Sequence, residues 1–321
     1  MSSKLFQPIK LGDIQLSTGL RADAKDVLLV PLVKEYYSQR ATEPGTLLIS
    51  EGTVIQQRAG GYNNVPGIWS NEQINAWKEA RICASRAADP DVLHSEGPSY
   101  PYVSASDIPM LSGTPSQAQD TPRPLTLEEI KEYMEYYATA AKNAVHKAEF
   151  DGVEIHGANG YPIEQFLKKS TYGTYGGSSE NRARFALEVI DAVVGAVGPG
   201  KTGFGESYYT LICQILPDIG ARDPIPTYSH LVKAHPTLAY IHVVDPRVDG
   251  ITDIENVGNH SNEFIREIWT EGTDNEINGR RLISAGNFDL ETGTKLADTR
   301  GDLVAYRRRF ISNVPLRGRL F

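Results

Sequence analysis

Asp151-Gly-Val-Glu-Ile-His-Gly-Ala-Asn-Gly-Tyr161 is the stretch on which the reading of the chain turns. Its first half, Asp151 to Gly157, is a short β-type run whose Val153 and Ile155 suit a strand buried beneath helices. Its second half delivers His156, Asn159 and Tyr161 within six residues, directly after that strand. In a (β/α) barrel the C-terminal ends of the strands form the active-site face, so three hydrogen-bonding side chains at one strand end mark a rim. Histidine and asparagine can both donate to a carbonyl oxygen and stabilise negative charge developing there. A tyrosine hydroxyl can supply a proton. The plainer alternative is a structural histidine followed by a tyrosine that only packs; placement and density favour a site.

Outward from this segment, other short β-type runs alternate with helical patterns, the signature of parallel βα units. They are Thr46–Gly52, Leu238–Val244, Arg281–Gly286 and Asp302–Tyr306, with a weaker run at Lys201–Ser207. Thr126-Leu-Glu-Glu129 is a capping box that opens a helix, continued at helical spacing by Ile130, Tyr133, Met134, Tyr137 and Ala141. Ser179–Val197, Lys25–Arg40 and Asn71–Ala84 read as further helices. Residues 89–124, rich in Pro, Ser, Gly and Asp, read as a long excursion, a hairpin or lid, on one barrel domain spanning 1–321. The expected fold class is therefore α/β, a TIM (β/α)8 barrel. It is expected to be incomplete or distorted, because no convincing strand lies between Gln15 and Asp26 or between Trp77 and Asp89.

The chain's 321 residues exceed the roughly 250 that such a barrel needs. Its net charge of −8, from 32 basic and 40 acidic side chains, argues against broad binding to nucleic-acid phosphates. Cys83 and Cys213 sit in no C-x-x-C or Cys/His cluster, so metal-site and redox-motif readings have little support. With no leading apolar segment and no run of about 18 apolar residues, the expectation is a cytoplasmic protein without a membrane partner.

A second cluster lies near the C-terminus. Ser284-Ala-Gly286-Asn287-Phe288 ends one strand and Ala305-Tyr-Arg307-Arg308-Arg309 ends the next. Loops after the last two barrel strands commonly bind phosphate, with glycine admitting backbone amides and arginine adding a charge-assisted bond. Arginines at strand ends also simply meet solvent. Glu154 and His242, each inside a strand, read as core or ion-pair residues, and Trp69 and Trp77 as packing residues.

Taken in order, these segments resemble the old yellow enzyme family of FMN-dependent ene-reductases, in its fungal branch. The likeness is carried by Leu5-Phe-Gln-Pro-Ile-Lys-Leu-Gly12, Pro31–Arg40, Ala59–Trp69, Asp151–Tyr161, Tyr175–Phe185, Ala239–Arg247 and Arg308–Asn313. The resemblance implies that NADPH or NADH gives hydride to FMN, which passes it to the β-carbon of an enone or enal. It implies that His156 and Asn159 hold the substrate carbonyl and also touch the cofactor, and that Tyr161 protonates the α-carbon. Thr18 and Gly52 would lie beside the flavin ring, and Gly286, Asn287 and Arg308 would bind its phosphate. The departures are specific. The first strand, before Thr18, is missing; so is the third, where Arg81–Arg86 now stands; an expected flavin-side arginine is Gly205; a phosphate-site glycine is Arg307; Phe166–Tyr175 is short; and the chain stops at Phe321, ahead of the family's usual C-terminal segment.

These departures keep other readings open: a flavin-free or inactive relative acting as a ligand binder or scaffold, a chain from a misjoined gene model, or a cofactor-free isomerase or lyase using His156 and Tyr161.

Overall fold

The structure is a computed structural model and describes residues 10–11, 14–15, 30–39, 41, 47–60, 65–80, 100–108, 121–168, 173–206, 225–249, 252–253, 261–273 and 279–306. Along the chain, β1 (Lys10–Leu11) pairs antiparallel with β2 (Ile14–Gln15), and β3 (Val103–Ser104) pairs parallel with β4 (Arg123–Pro124). The main sheet consists of β5 (Val153–His156), β6 (Thr202–Glu206), β7 (Tyr240–Val244), β10 (Leu282–Ala285) and β11 (Leu303–Ala305). Between β7 and β10 lies the small antiparallel pair β8 (Val248–Asp249) and β9 (Thr252–Asp253).

All pairings in the main sheet are parallel, and each strand lies beside its successor, in the order β5-β6-β7-β10-β11. Helices fill the connections: α4 (Pro162–Leu167) and α5 (Ser179–Val197) after β5, α6 (Ile225–Ala234) after β6, α7 (Glu263–Thr270) after β7 and α8 (Leu290–Arg300) after β10. Sequential order without reversal is the winding of a barrel, not of a doubly wound open sheet. The described strands form an open arc of five. Ahead of them come α1 (Val30–Ser38), α2 (Asn71–Ala80) and α3 (Leu127–Lys142), the last running on into a π-helical turn at Asn143–Lys147.

The sheet's two faces have different partners. Val153, Ile155, Phe204, Ile241, Val243 and Leu282 join the helix residues Phe185, Val189, Tyr228, Leu231 and Trp269 in one large core. Each such buried side chain is worth about 1.5–3 kcal/mol relative to exposure. The other face carries Tyr240 and Ile283, packed with Leu47, Ile49, Leu303 and Ala305 in a smaller cluster. That second face is the concave side of the arc.

Several expectations meet the structure directly. The Thr126 capping box is present, with Glu129 N–H donating to Thr126 Oγ1 at 3.2 Å and Thr126 N–H to Glu129 Oε2 at 2.9 Å. The helices read at Lys25–Arg40 and Asn71–Ala84 appear as Val30–Ser38 and Asn71–Ala80. Trp77 packs fully buried, its indole N–H on the Gly67 carbonyl at 2.9 Å.

Two readings need correction. Residues 47–52 of the run read as a strand at Thr46–Gly52 form no ladder among the described residues. Leu47 and Ile49 pack on the concave face and Leu48 against the main core, while backbone pairing passes one step on: Val54 bonds to Pro66 and Ile68 to Val54. The excursion at 89–124 is not a hairpin at its described ends, because β3 and β4 run parallel, and parallel neighbours need a long return connection. The segments without a convincing strand pattern, 16–26 and 81–89, lie outside the described residues, as do Thr18, Cys83, Cys213, Arg307 and Arg308.

Candidate active site

His156 is the last residue of β5, and the ladder continues one step to Gly157, whose N–H donates to the Gly205 carbonyl at 2.7 Å. Gly157 must stay small: a Cβ there would lie 2.7 Å from the Phe204 ring. The chain then leaves the sheet through two left-handed residues, Asn159 (φ 58°) and Gly160 (φ 77°). Glycine takes that conformation freely, and asparagine is the side-chain-bearing residue best suited to it. The turn folds Asn159 back, placing its Nδ2 3.3 Å from His156 Nε2. Tyr161 follows as the N-cap of α4, ahead of Pro162. Its ring centroid is 5.4 Å from that of His156, tilted by 50°. The structure thus brings His156, Asn159 and Tyr161 together at one strand end.

The turn is held from below by residues that the sequence reading missed. The buried carboxylate of Glu164 accepts the Gly160 N–H at 2.5 Å and pairs with Lys168 at 2.9 Å. Gln165 Nε2 donates to the Gly160 carbonyl at 2.8 Å, and Ser104 Oγ donates to Gln165 Oε1 at 2.8 Å. The buried Arg182 guanidinium closes the next connection on the carbonyls of Leu167 and Gly177. The available signal was Glu164 and Gln165 lying four and five residues after a glycine turn, within reach of its exposed backbone groups.

Beneath His156, the concave face carries a polar pair. Glu154 Oε2 lies 3.0 Å from His242 Nδ1, so the ion-pair reading of these two strand residues matches the structure. They meet across β6 because its two inward positions are Gly203 and Gly205. A Cβ at 205 would stand 2.6 Å from Glu154 Oε1, and one at 203 would stand 2.3 Å from the Tyr240 ring. Burial alone would push the Glu154 carboxyl up. The charge and hydrogen bond of His242, the charge of His156 and the Tyr240 hydroxyl outweigh it and hold the group below its ordinary value. Tyr240 is pushed well up, by burial first and then by the Glu154 carboxylate. These glycines also explain why β6 read weakly: glycine is depleted in strands, yet here it makes room.

On the far side of the arc, Gly286 (φ 133°) and Asn287 (φ 49°) turn the chain out of β10. Asp245, just past β7, donates its N–H to the Ala285 carbonyl at 2.7 Å and accepts Arg247 Nε at 2.9 Å. Arg247 lies 4.4 Å over the Phe288 ring. This is a rim arginine to which the sequence reading gave no role. Gly52 lies partly buried beside Glu51, in the run whose Leu47 and Ile49 line the concave face.

The fit to a flavin rests on this face. Gly205 on the face, and Gly52 and Gly286 in the segments that follow Ile49 and β10, lack side chains. One buried polar atom on it, His242 Nε2, has no hydrogen-bond partner among the described residues. A flat ring system with polar edges needs both open backbone and unspent donors.

The profile of the NADH:flavin oxidoreductase / NADH oxidase family matches residues 4–320. The chain is 37% identical to the chanoclavine-I aldehyde reductase fgaOx3 of Penicillium roqueforti, over 98% of this chain and 88% of the relative. It is 37% identical to the probable inactive dehydrogenase easA of Claviceps fusiformis, over 99% and 88%. The first of these alignments spans 345 positions against a chain of 321 residues, so that relative carries segments that this chain lacks. Among solved structures, an Old Yellow Enzyme from a Pichia species superposes with a TM-score of 0.80 at 30% identity, over 99% of this chain and 86% of that one. Morphinone reductase superposes with a TM-score of 0.75 at 27% identity, over 100% and 90%. The sequential parallel arc, its polar rim and these likenesses agree: the chain belongs to the NADH:flavin oxidoreductase / NADH oxidase family, as an old yellow enzyme-type protein of the fungal branch.

Proposed function

We propose that this chain is an FMN-dependent, NADPH-consuming ene-reductase that saturates the C=C bond of an α,β-unsaturated aldehyde or ketone. The observation that carries the reading is the meeting of His156, Asn159 and Tyr161 at the C-terminal end of β5. His156 and Asn159 donate to the substrate carbonyl oxygen, which withdraws electron density from the β-carbon and stabilises the enolate charge. The Tyr161 hydroxyl gives its proton to the α-carbon, so one hydride and one proton add across the double bond. When bound, FMN supplies the hydride, having received it from the nicotinamide. Gly52, Gly286 and Asn287 would hold the cofactor, joined by Thr18 and Arg308 and by the rim pair His156 and Asn159. The name of the Penicillium relative, an aldehyde reductase, supports a conjugated aldehyde as the first substrate to try.

The test is an absorbance spectrum after gel filtration with added FMN, followed by NADPH oxidation in the presence of a conjugated aldehyde. Co-eluting flavin and aldehyde-dependent turnover support the reading. A folded protein that stays colourless sinks it. That outcome favours a second reading, a non-catalytic relative that binds ligands, for which the glycine at position 205 and the segments lacking relative to the Penicillium protein speak.

A further inference from the structure

We propose that Glu164 is a positioning residue for the carbonyl-binding pair: its buried carboxylate keeps Asn159 in the left-handed pose that faces His156, while Gln165 separately holds the peptide that leads into Tyr161. The inference deepens the proposed function and rests on its reading of His156, Asn159 and Tyr161. It gives each of two neighbouring α4 side chains, neither of which enters the reaction, a different residue to serve.

Two peptide planes make the turn. The first joins Asn159 to Gly160 and carries the Gly160 N–H. The second joins Gly160 to Tyr161 and carries the Gly160 carbonyl. Glu164 Oε2 accepts the N–H at 2.5 Å, and Gln165 Nε2 donates to the carbonyl at 2.8 Å. A peptide unit moves as a rigid plate, so one hydrogen bond to each plate fixes its orientation. Consecutive residues of α4 thus hold consecutive plates, the first bearing on Asn159 and the second on Tyr161.

The first plate is the one that needs holding. Asn159 sits at φ 58° and Gly160 at φ 77°. Glycine takes either sign of φ at little cost, so Gly160 does not choose the orientation of the plate. A left-handed backbone is unfavourable for a residue with a side chain, asparagine included, and Asn159 stays there only while its surroundings hold it. Gly160 is buried, and a buried N–H must find an acceptor. The acceptor stands at Glu164, and the pose so selected puts Asn159 Nδ2 3.3 Å from His156 Nε2. Without it, Asn159 relaxes to a commoner φ and its side chain swings away from the histidine.

The nature of the acceptor supports the same role. Glu164 is 1% exposed, and Lys168, its partner at 2.9 Å, is 7% exposed. A buried ion pair is a poor source of stability, and apolar side chains of similar volume often serve as well or better. What apolar side chains cannot supply is a directional acceptor beneath a pliable turn. A carboxylate provides one, and a charge-assisted bond to it is roughly twice as strong as a neutral one.

The experiment uses the full chain with FMN, cinnamaldehyde as the probe and kcat/KM as the first readout, with urea unfolding as the control for folding. Glu164→Leu with Lys168→Met replaces the ion pair by apolar side chains. Glu164→Gln with Lys168→Met removes both charges and keeps an acceptor. The leucine pair should lower kcat/KM about tenfold or more, and the glutamine pair should restore it to within about threefold of the wild type. Double-mutant cycles identify the residue that each side chain serves. The leucine pair should have little further effect in Asn159→Gly and its full effect in Tyr161→Phe, and Gln165→Ala should show the reverse. The second readout needs no turnover. In spectra of the flavin-free protein, the Gly160 amide should be protected from hydrogen exchange in the wild type and the glutamine pair and should lose protection in the leucine pair. The Asn159 side-chain amide signal should shift with it. Losses that multiply in both backgrounds, or an Asn159 signal unmoved in the leucine pair, overturn the inference and leave the proposed function standing. A wild type without aldehyde turnover overturns the proposed function, while the Asn159 and Gly160 signals still decide the positioning.

Discussion

Gln165 Nε2 donates to the carbonyl of Gly160 at 2.8 Å, so the turn that aims Tyr161 is fastened by the helix that follows it. The same side chain accepts Ser104 Oγ at 2.8 Å. Ser104, inside the excursion at 89–124, and the turn that precedes the candidate proton donor are therefore joined through one amide. Replacing Gln165 with Ala should cost about 1–3 kcal/mol of stability, because the Gly160 carbonyl loses its donor. It should also lower kcat about tenfold or more through misplacement of Tyr161, with FMN affinity unchanged. Urea unfolding and steady-state kinetics read the two effects separately. A stability loss with wild-type kcat would show that the link is structural only.

Tyr161 should matter for one half-reaction and not the other. In Tyr161→Phe the ring and its packing on His156 remain while the proton is lost. Reoxidation by an enone should slow about 10²-fold, the usual scale of general acid catalysis, while reduction by NADPH stays within twofold. Stopped-flow absorbance resolves the two phases. Equal slowing of both would place Tyr161 in cofactor binding instead.

Asn159 carries two roles that substitution can separate. Its left-handed backbone suits glycine, and its side-chain nitrogen lies 3.3 Å from His156 Nε2. Asn159→Gly removes the donor without strain. Asn159→Ala removes it and adds strain of about 1 kcal/mol or more. Turnover should fall alike in both, and the melting temperature should fall in the alanine variant alone. A glycine variant with wild-type KM and kcat would show that the amide does not hold substrate.

What the sequence made legible follows from range. The His156–Tyr161 cluster and the Thr126 capping box depend on residues three to five apart, so local spacing displays them. The sequential barrel order follows from alternating strand and helix patterns. By contrast, Thr46–Gly52 has strand composition but no ladder among the described residues, because pairing belongs to neighbours and not to composition. Thr202–Glu206 has poor strand composition and yet sits mid-sheet, since its glycines serve Tyr240 and Glu154. The Glu164 and Gln165 clasp was hidden for another reason: what they bind is backbone, and backbone leaves no pattern in side-chain chemistry.

Gly286 should tolerate no side chain. Its φ is 133°, and a Cβ would lie 2.6 Å from the Cβ of Asp245, beside the backbone that bonds to Ala285. Gly286→Ala should destabilise the chain by about 1–3 kcal/mol. If the β10 turn holds phosphate, FMN affinity should fall further than riboflavin affinity in the same variant. Equal losses for the two flavins would remove Gly286 from the phosphate site.

Glu129 predicts how stability changes with acid. Its carboxylate receives Arg123 Nη2 and Arg58 Nη2, each at 2.8 Å, as well as the Thr126 N–H. The Arg123 hydrogen bond leads, against burial, and with the Thr126 amide and both guanidinium charges it holds the group at about 2. The folded value is depressed, so the contribution is fully present above the unfolded value of 4.5 and is lost as pH falls through about 2. Arg123 is nearly half exposed, with 46% of its side chain accessible, so solvent screening reduces the effect to about 1 kcal/mol. Glu129→Gln keeps a residue able to complete the capping box and removes only the charge. Urea unfolding should therefore show the variant about 1 kcal/mol less stable near neutral pH, with the two proteins converging as the pH approaches about 2. A gap that stays constant across that window would mean that the loss comes from altered capping and not from the ion pairs.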